Sequence, residues 1–152
     1  MIMLNKYMYI ALEEAKKIKN DVPICAIIEK NNQIISIATN KREENKQTIA
    51  HAEILAIMEA NNKLNSWRLD DCNMYVTLEP CPMCAWAIIN SRIKNLYFGS
   101  YDTKYGAFFS TINLRELSKS KINVYGGILE KECDNLLKQY FEKMRNDNKA
   151  KF

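Results

Sequence analysis

Pro80 and Pro82 flank Cys81, and this bracket constrains the middle of the chain more than any other feature. Proline has no N–H to give a sheet ladder, so Glu79-Pro80-Cys81-Pro82 stops the strand expected at 74–77, while Pro82 suits the first turn of a helix running to about Ser91. Cys81 and Cys84 then fall at i and i+3 on the opening turn of that helix. There the positive end of the helix dipole favours thiolates over thiols.

Helical and strand periodicities alternate on either side of the bracket. Residues 6–19 place Met8, Ala11, Leu12, Ala15 and Ile18 on one helical stripe, ended by Asp21-Val22-Pro23. The Ile-rich runs 24–28 and 33–39 are parted by Lys30-Asn31-Asn32, which predicts a hairpin. Residues 40–48 read as a polar loop, 49–61 as a helix, and 95–99 and 122–125 as strands. Between the last two, 100–121 reads as a long functional loop with a short helix. Residues 129–145 form a final helix whose Cys133, Leu136, Leu137, Tyr140, Phe141 and Met144 make one stripe, read as core. The tail beyond Arg145 is expected to fray. The order α-β-β-α-β-α-β-β-α predicts a three-layer α/β architecture around a mixed five-stranded sheet. With 152 residues and no linker composition, residues 1–152 read as a single domain.

Composition narrows the function classes. A chain that is 47% apolar and 26% charged is ordinary for a globular domain. At about 150 residues it can bury roughly 70% of its unfolded surface, so a metal is not needed merely to hold the fold. The longest apolar run, Met83 to Ile89, falls far short of the roughly 18–20 residues of a membrane span. Tyr7–Leu12 is followed by Glu13 and Glu14 with no small-residue cleavage site, which argues against a secretory signal and for the cytoplasm. The net charge of +4 is compatible with a polyanionic partner and identifies none. Five cysteines, with one close pair, do not make a secreted disulfide scaffold.

The sequence contains one histidine, His51, in Ala50-His51-Ala52-Glu53. A lone histidine is ordinarily structural or solvated, and a lone Cys-x-x-Cys can be a redox pair. Together, His51, Cys81 and Cys84 supply one imidazole and two thiolates, a donor set that suits Zn²⁺. Three protein ligands leave a position for water, whereas a structural site needs a fourth, which only Cys25, Cys72 or Cys133 could supply. In the open arrangement, zinc lowers the pKa of water to about 7 and Glu53 is placed to shuttle its proton.

His-x-Glu followed by Pro-Cys-x-x-Cys resembles the cytidine and deoxycytidylate deaminase superfamily. The likeness covers nearly the whole chain and is closer to the bacterial tRNA-specific adenosine deaminases. It runs through Asp21-Val22-Pro23, Asn40, His51-Ala52-Glu53, Thr77-Leu78-Glu79-Pro80-Cys81 and Met83-Cys84, and on through Asp102, Lys104, Gly106-Ala107 and Tyr140-Phe141. The resemblance implies a cytidine-deaminase-like fold and one zinc per subunit on His51, Cys81 and Cys84. Glu53 would be the proton shuttle in hydrolysis of a wobble adenosine to inosine and ammonia. Asn40 and the backbone N–H of Ala52 would hold the purine. Asp102 and Lys104 would meet the ribose-phosphate backbone of a tRNA anticodon stem-loop. Tyr105, Phe108 and Phe109 are candidates to stack or pack near loop bases, or else simply cover a core edge, and Lys143 and Arg145 are candidates to contact phosphates. The resemblance also implies a homodimer.

Two other readings stand beside this one: a deaminase of a free guanine- or cytosine-type base, and a non-catalytic zinc-stabilised RNA-binding module. The chain departs from the family pattern at Gln47-Thr48-Ile49, Cys25, Asn90 and Trp86. Trp86, one turn beyond the cysteines, would either narrow the base pocket or fill a subunit interface.

Overall fold

In the computed structural model, which describes residues 2–151, the predicted hairpin turns at Asn31 and Asn32, with φ of 52° and 63°. Two consecutive left-handed residues give the turn whose twist matches paired strands, and asparagine tolerates that conformation. The turn joins β1 (Cys25–Lys30) to β2 (Gln33–Thr39). β3 (Asn73–Leu78), β4 (Asn95–Ser100) and β5 (Asn123–Tyr125) complete a five-stranded sheet in the order β2-β1-β3-β4-β5. β1 is antiparallel to both neighbours, while β3, β4 and β5 run parallel, so the sheet is mixed as expected.

Helices α1 (Ile2–Lys16) and α6 (Glu130–Ala150) cover one face; α3 (Ala52–Leu64) and α4 (Pro82–Asn90) cover the other. Strand alternation decides which side chain goes where. Ala26, Ile28, Met74, Val76, Leu96 and Phe98 meet α3 and α4, while Cys25, Ile27 and Tyr75 meet α1 and α6. One-turn helices α2 (Arg42–Asn45) and α5 (Leu114–Leu117) lie in the connections.

Four expectations need correction. The 40–48 loop contains α2, because both carboxylate oxygens of the distant Asp21 accept from the N–H groups of Glu43 and Glu44, at 2.7 and 3.1 Å. α3 starts at Ala52 rather than at 49, with His51 as its N-cap residue. α6 continues past Arg145 to Ala150, since no glycine or proline interrupts it. Its apolar stripe is core only at its start: Cys133 is 1% exposed, whereas Phe141 and Met144 are 45% and 43% exposed. A helix of this length spans about 30 Å, outrunning the short strands it crosses, so its second half has no sheet beneath it.

The parallel strands carry a repeat. Asn73-Met74-Tyr75, Asn95-Leu96-Tyr97 and Asn123-Val124-Tyr125 stand in register. Tyr75, Tyr97 and Tyr125 stack at ring separations of 4.9 and 5.2 Å. Beside them Asn123 donates to Asn95 at 2.9 Å, Asn95 to Asn73 at 2.7 Å, and Asn73 to the buried carboxylate of Glu29 at 2.7 Å. The other Glu29 oxygen accepts from the Asn32 N–H at 2.6 Å, so one side chain ends the amide ladder and ties down the hairpin turn. Replacing Glu29 by Ala strands these donors and is expected to destabilise the fold by about 1–3 kcal/mol. In urea denaturation this would lower the midpoint at constant slope.

Candidate active site

The end of β3 and the starts of α3 and α4 meet at one point. His51 is the N-cap residue of α3 and Cys81 that of α4, and neither uses its side chain to cap. Both side chains are thereby free for each other: the Sγ atoms of Cys81 and Cys84 lie 3.7 and 3.4 Å from His51 Nδ1. All three donor atoms fall within 4.8 Å of one another. Among the described residues no other group of three or more His, Cys, Asp or Glu side chains could hold a metal, and Cys25, Cys72 and Cys133 are buried outside this one. The closed four-ligand alternative therefore has no fourth cysteine.

The electrostatics suit a cation. A hydrogen bond from Cys84 pulls the Cys81 thiol down to about 4, against the cost of burial, so Cys81 is a thiolate. Cys84 is pushed the other way by the same pairing and by burial. His51 is raised, chiefly by its hydrogen bond with Cys81. A proton shared among three donors is what a divalent metal would displace.

Glu53, 5% exposed on the first turn of α3, is pushed up to about 6, chiefly by burial. It lines a cavity of about 610 Å³ together with His51, Ala52, Cys81 and Asn40. Asn40 is buried, and its two side-chain contacts are long: its amide donates to the Val22 carbonyl at 3.4 Å and accepts from the Arg42 N–H at 3.3 Å. Ala52 is fully buried as the first residue of α3, where helix N–H groups lack intrahelical acceptors.

The opposite wall comes from the 102–110 loop and α6. Asp102 and Tyr105 line the cavity, and Asp102 accepts from the N–H groups of Lys104 and Tyr105 at 3.0 and 3.1 Å. Tyr105 is 56% exposed, with the Lys104 ammonium 5.2 Å from its ring centre. Phe108, in contrast, is 1% exposed within the core, so it cannot stack on a base. Phe109 packs on Phe98 and Tyr101 and does not line the cavity. Lys143 and Arg145 are exposed on α6 outside it, while Tyr140, Phe141 and Met144 line it. These three, together with Asp21 and Arg42, are site residues that the sequence analysis missed. The aromatic stripe of α6 was the available signal, and its assignment to the core concealed it. Trp86 lies outside the cavity, half exposed in a separate depression with Ile89 and Lys94, and does not narrow the base pocket.

Comparison with known proteins agrees with this geometry. The family described as MafB19-like deaminase matches residues 3–145. A solved structure from studies of A-to-I editing by tRNA:A34 deaminases superposes with a TM-score of 0.83 at 36% identity, covering 86% of this chain and 98% of that one. A second, solved with 2,6-diaminopurine, gives 0.78 at 26% identity, over 90% and 80% of the two chains. Fold and site thus define a deaminase with the cytidine-deaminase-like architecture. The tRNA-specific adenosine deaminase of Bacillus subtilis is 44% identical over 95% of this chain and 92% of its own. That of Aquifex aeolicus is 42% identical over 93% and 95%. The chain belongs to the family of tRNA-specific adenosine deaminases.

Phe108 and Tyr105 of the loop separate by experiment. Phe108→Ala is expected to cost about 3–5 kcal/mol of stability, and Tyr105→Ala no more than about 0.5 kcal/mol. Thermal or urea unfolding of the two variants compares them directly.

Proposed function

We propose that this protein hydrolyses the wobble adenosine of a tRNA anticodon loop to inosine, releasing ammonia, and that it does so with one zinc ion per subunit. The observation that carries the reading is the open His51, Cys81 and Cys84 set with a buried carboxylate, Glu53, in the same cavity. The donor chemistry fits zinc: two thiols, one already ionised, and an imidazole, with no fourth cysteine to close the shell. Zinc held there would supply Lewis-acid activation of water.

The chain's own groups account for the remaining steps. Glu53 takes one proton from the attacking water and gives it to the purine nitrogen beside the amino-bearing carbon. As the C–N bond breaks, it carries the proton of the new hydroxyl to the departing amine, leaving a carbonyl and ammonia. Burial keeps its affinity for protons high enough to hold one between these transfers. Asn40 and the Ala52 N–H orient the purine, and a wrong base would leave these buried groups unpaired. Asp102, Lys104 and Tyr105 receive the neighbouring nucleotides, with Lys143 and Arg145 at the rim.

The cavity, about 610 Å³, offers more room than one purine needs and opens between a loop and a helix that carry basic residues. That supports an extended RNA substrate over a free base. Mass spectrometry of an anticodon stem-loop incubated with zinc-loaded protein is expected to show inosine. Glu53→Ala should lower the rate by about 10²–10⁴-fold, and a chelator should abolish it. Ammonia release from free guanine or cytosine, with the stem-loop unchanged, would give the site to the small-molecule reading instead.

A homodimer working in the cytoplasm completes the proposal. Met58 on α3 and Trp86 on α4 are 54% and 50% exposed, large apolar side chains on the two helices that carry the site, available to a second subunit. Among the described residues no helix is long and apolar enough to cross a membrane. Size-exclusion chromatography with light scattering should give twice the chain mass of 17.7 kDa. A monomer would overturn the dimer.

A further inference from the structure

Among the described residues Glu79 has the most heavily hydrogen-bonded side chain, and the reaction described above does not use it. It is 1% exposed and follows directly on β3, two residues before the metal-site Cys81. Its Oε1 accepts from the Asp102 N–H at 3.2 Å and from the Ser110 hydroxyl. Its Oε2 accepts from the N–H groups of Phe108, Phe109 and Ser110 at 3.2, 2.9 and 3.0 Å. None of the described salt bridges involves it. The buried carboxyl oxygens are met by converging backbone N–H dipoles of one loop, in the manner of an anion nest.

The loop is shaped to this carboxylate. A β-carbon at Gly106 would collide with it, so any larger residue there would have to push the carboxylate off its hydrogen bonds. The Ala107 N–H donates to the Pro80 carbonyl at 2.9 Å, a second tie to the same turn. The free ends of these ties are Asp102 and Tyr105, which line the cavity alongside Cys81. The geometry points to Glu79 as a positioning residue: its carboxylate sets the distance between the metal turn and the loop that receives the RNA, and so governs substrate affinity without touching substrate. This rests on the tRNA reading for its kinetic consequence and on the loop geometry alone for its structural one.

Four of the five donors are backbone N–H groups, which can only donate. Glu79→Gln keeps the shape of the side chain and one acceptor oxygen but puts an NH₂ in place of the other, so at least one backbone donor faces a donor whichever way the amide turns, and the loop loosens. A displacement of about 1 Å at a substrate-positioning group costs up to about 10²-fold, and loss of contacts made equally in ground and transition states is expressed in KM. The experiment compares wild type, Glu79→Gln, Asp102→Ala and the double variant, loaded with zinc, on the anticodon stem-loop. Glu79→Gln is expected to keep one zinc per chain and to raise KM about tenfold or more, with kcat within about threefold. The double variant should lose little beyond the worse single one, because both changes act through one loop. Hydrogen exchange at the amides of Asp102, Phe108, Phe109 and Ser110 should accelerate, with the α3 and α4 amides unchanged.

Losses that add in the double variant, a fall in kcat at constant KM, or unaltered exchange in the loop would each overturn the inference. Should Glu79→Gln fail to fold, Ser110→Ala removes a single donor and is expected to raise KM by about fivefold; an unchanged KM would again overturn it. If wild type leaves the stem-loop unconverted, the tRNA reading fails, and the exchange measurement still decides whether the carboxylate holds the loop.

Discussion

Two thiols and an imidazole can share one point in this fold only because two helices begin there. A helix N-terminus directs unpaired N–H groups and positive potential outwards; here the Cys84 N–H on the first turn of α4 bonds the Cys81 sulfur, while α3 brings its N-cap residue His51 against the same atom. The arrangement depends on β3 ending where it does, since Pro80 and Pro82 turn the chain out of the sheet and into α4 within a few residues. The parallel β3-α4-β4 crossover leaves the crevice beyond the strand's carboxyl end, where open α/β sheets place their ligands. Glu53 is buried because it sits on the first turn of α3, just after the N-cap residue His51 that faces the two cysteines. Its high proton affinity is thus a consequence of the same junction.

Around this junction the irregular segments are held by buried carboxylates rather than by apolar packing. Glu29 ends the asparagine ladder and pins the hairpin turn. Asp21 gathers the turn that follows Asn40. Glu79 gathers the loop that carries Asp102. Each accepts from backbone N–H groups, and none of the three appears among the described salt bridges. A loop lining a cavity cannot satisfy its N–H groups by pairing with a neighbouring strand, and an unpaired buried N–H is costly. A carboxylate from the rigid sheet or its edges satisfies several at once and leaves the loop's outer side chains free for a ligand.

Much of this was legible in the chain. The strands, the principal helices and the mixed sheet followed from periodicity and from proline and asparagine chemistry, and the donor set followed from residue type and spacing. The end of α6 was misread because its aromatic stripe has the same period whether it faces a sheet or a cavity. Phe108 and Phe109 are adjacent and chemically identical, yet one is core and the other exposed. Nothing local distinguishes them, because the difference lies in where the Glu79 carboxylate gathers the loop. The Asn-x-Tyr tripeptides are short and far apart, so they become a pattern only once the strands stand in register.

By itself, the sequence determined the donor set: one imidazole, two cysteine sulfurs and an acid, with the cysteines tied to the start of α4 by the flanking prolines, because proline and dipole effects act over a few residues. The tertiary structure alone decided the cavity. Its walls come from Asn40, the 102–110 loop and the far end of α6, segments brought together by the long-range hydrogen bonds of Asp21 to Glu43 and of Glu79 to Asp102 and by a helix longer than the sheet beneath it. Those are contacts between residues distant in the chain, and local pattern carries no record of them.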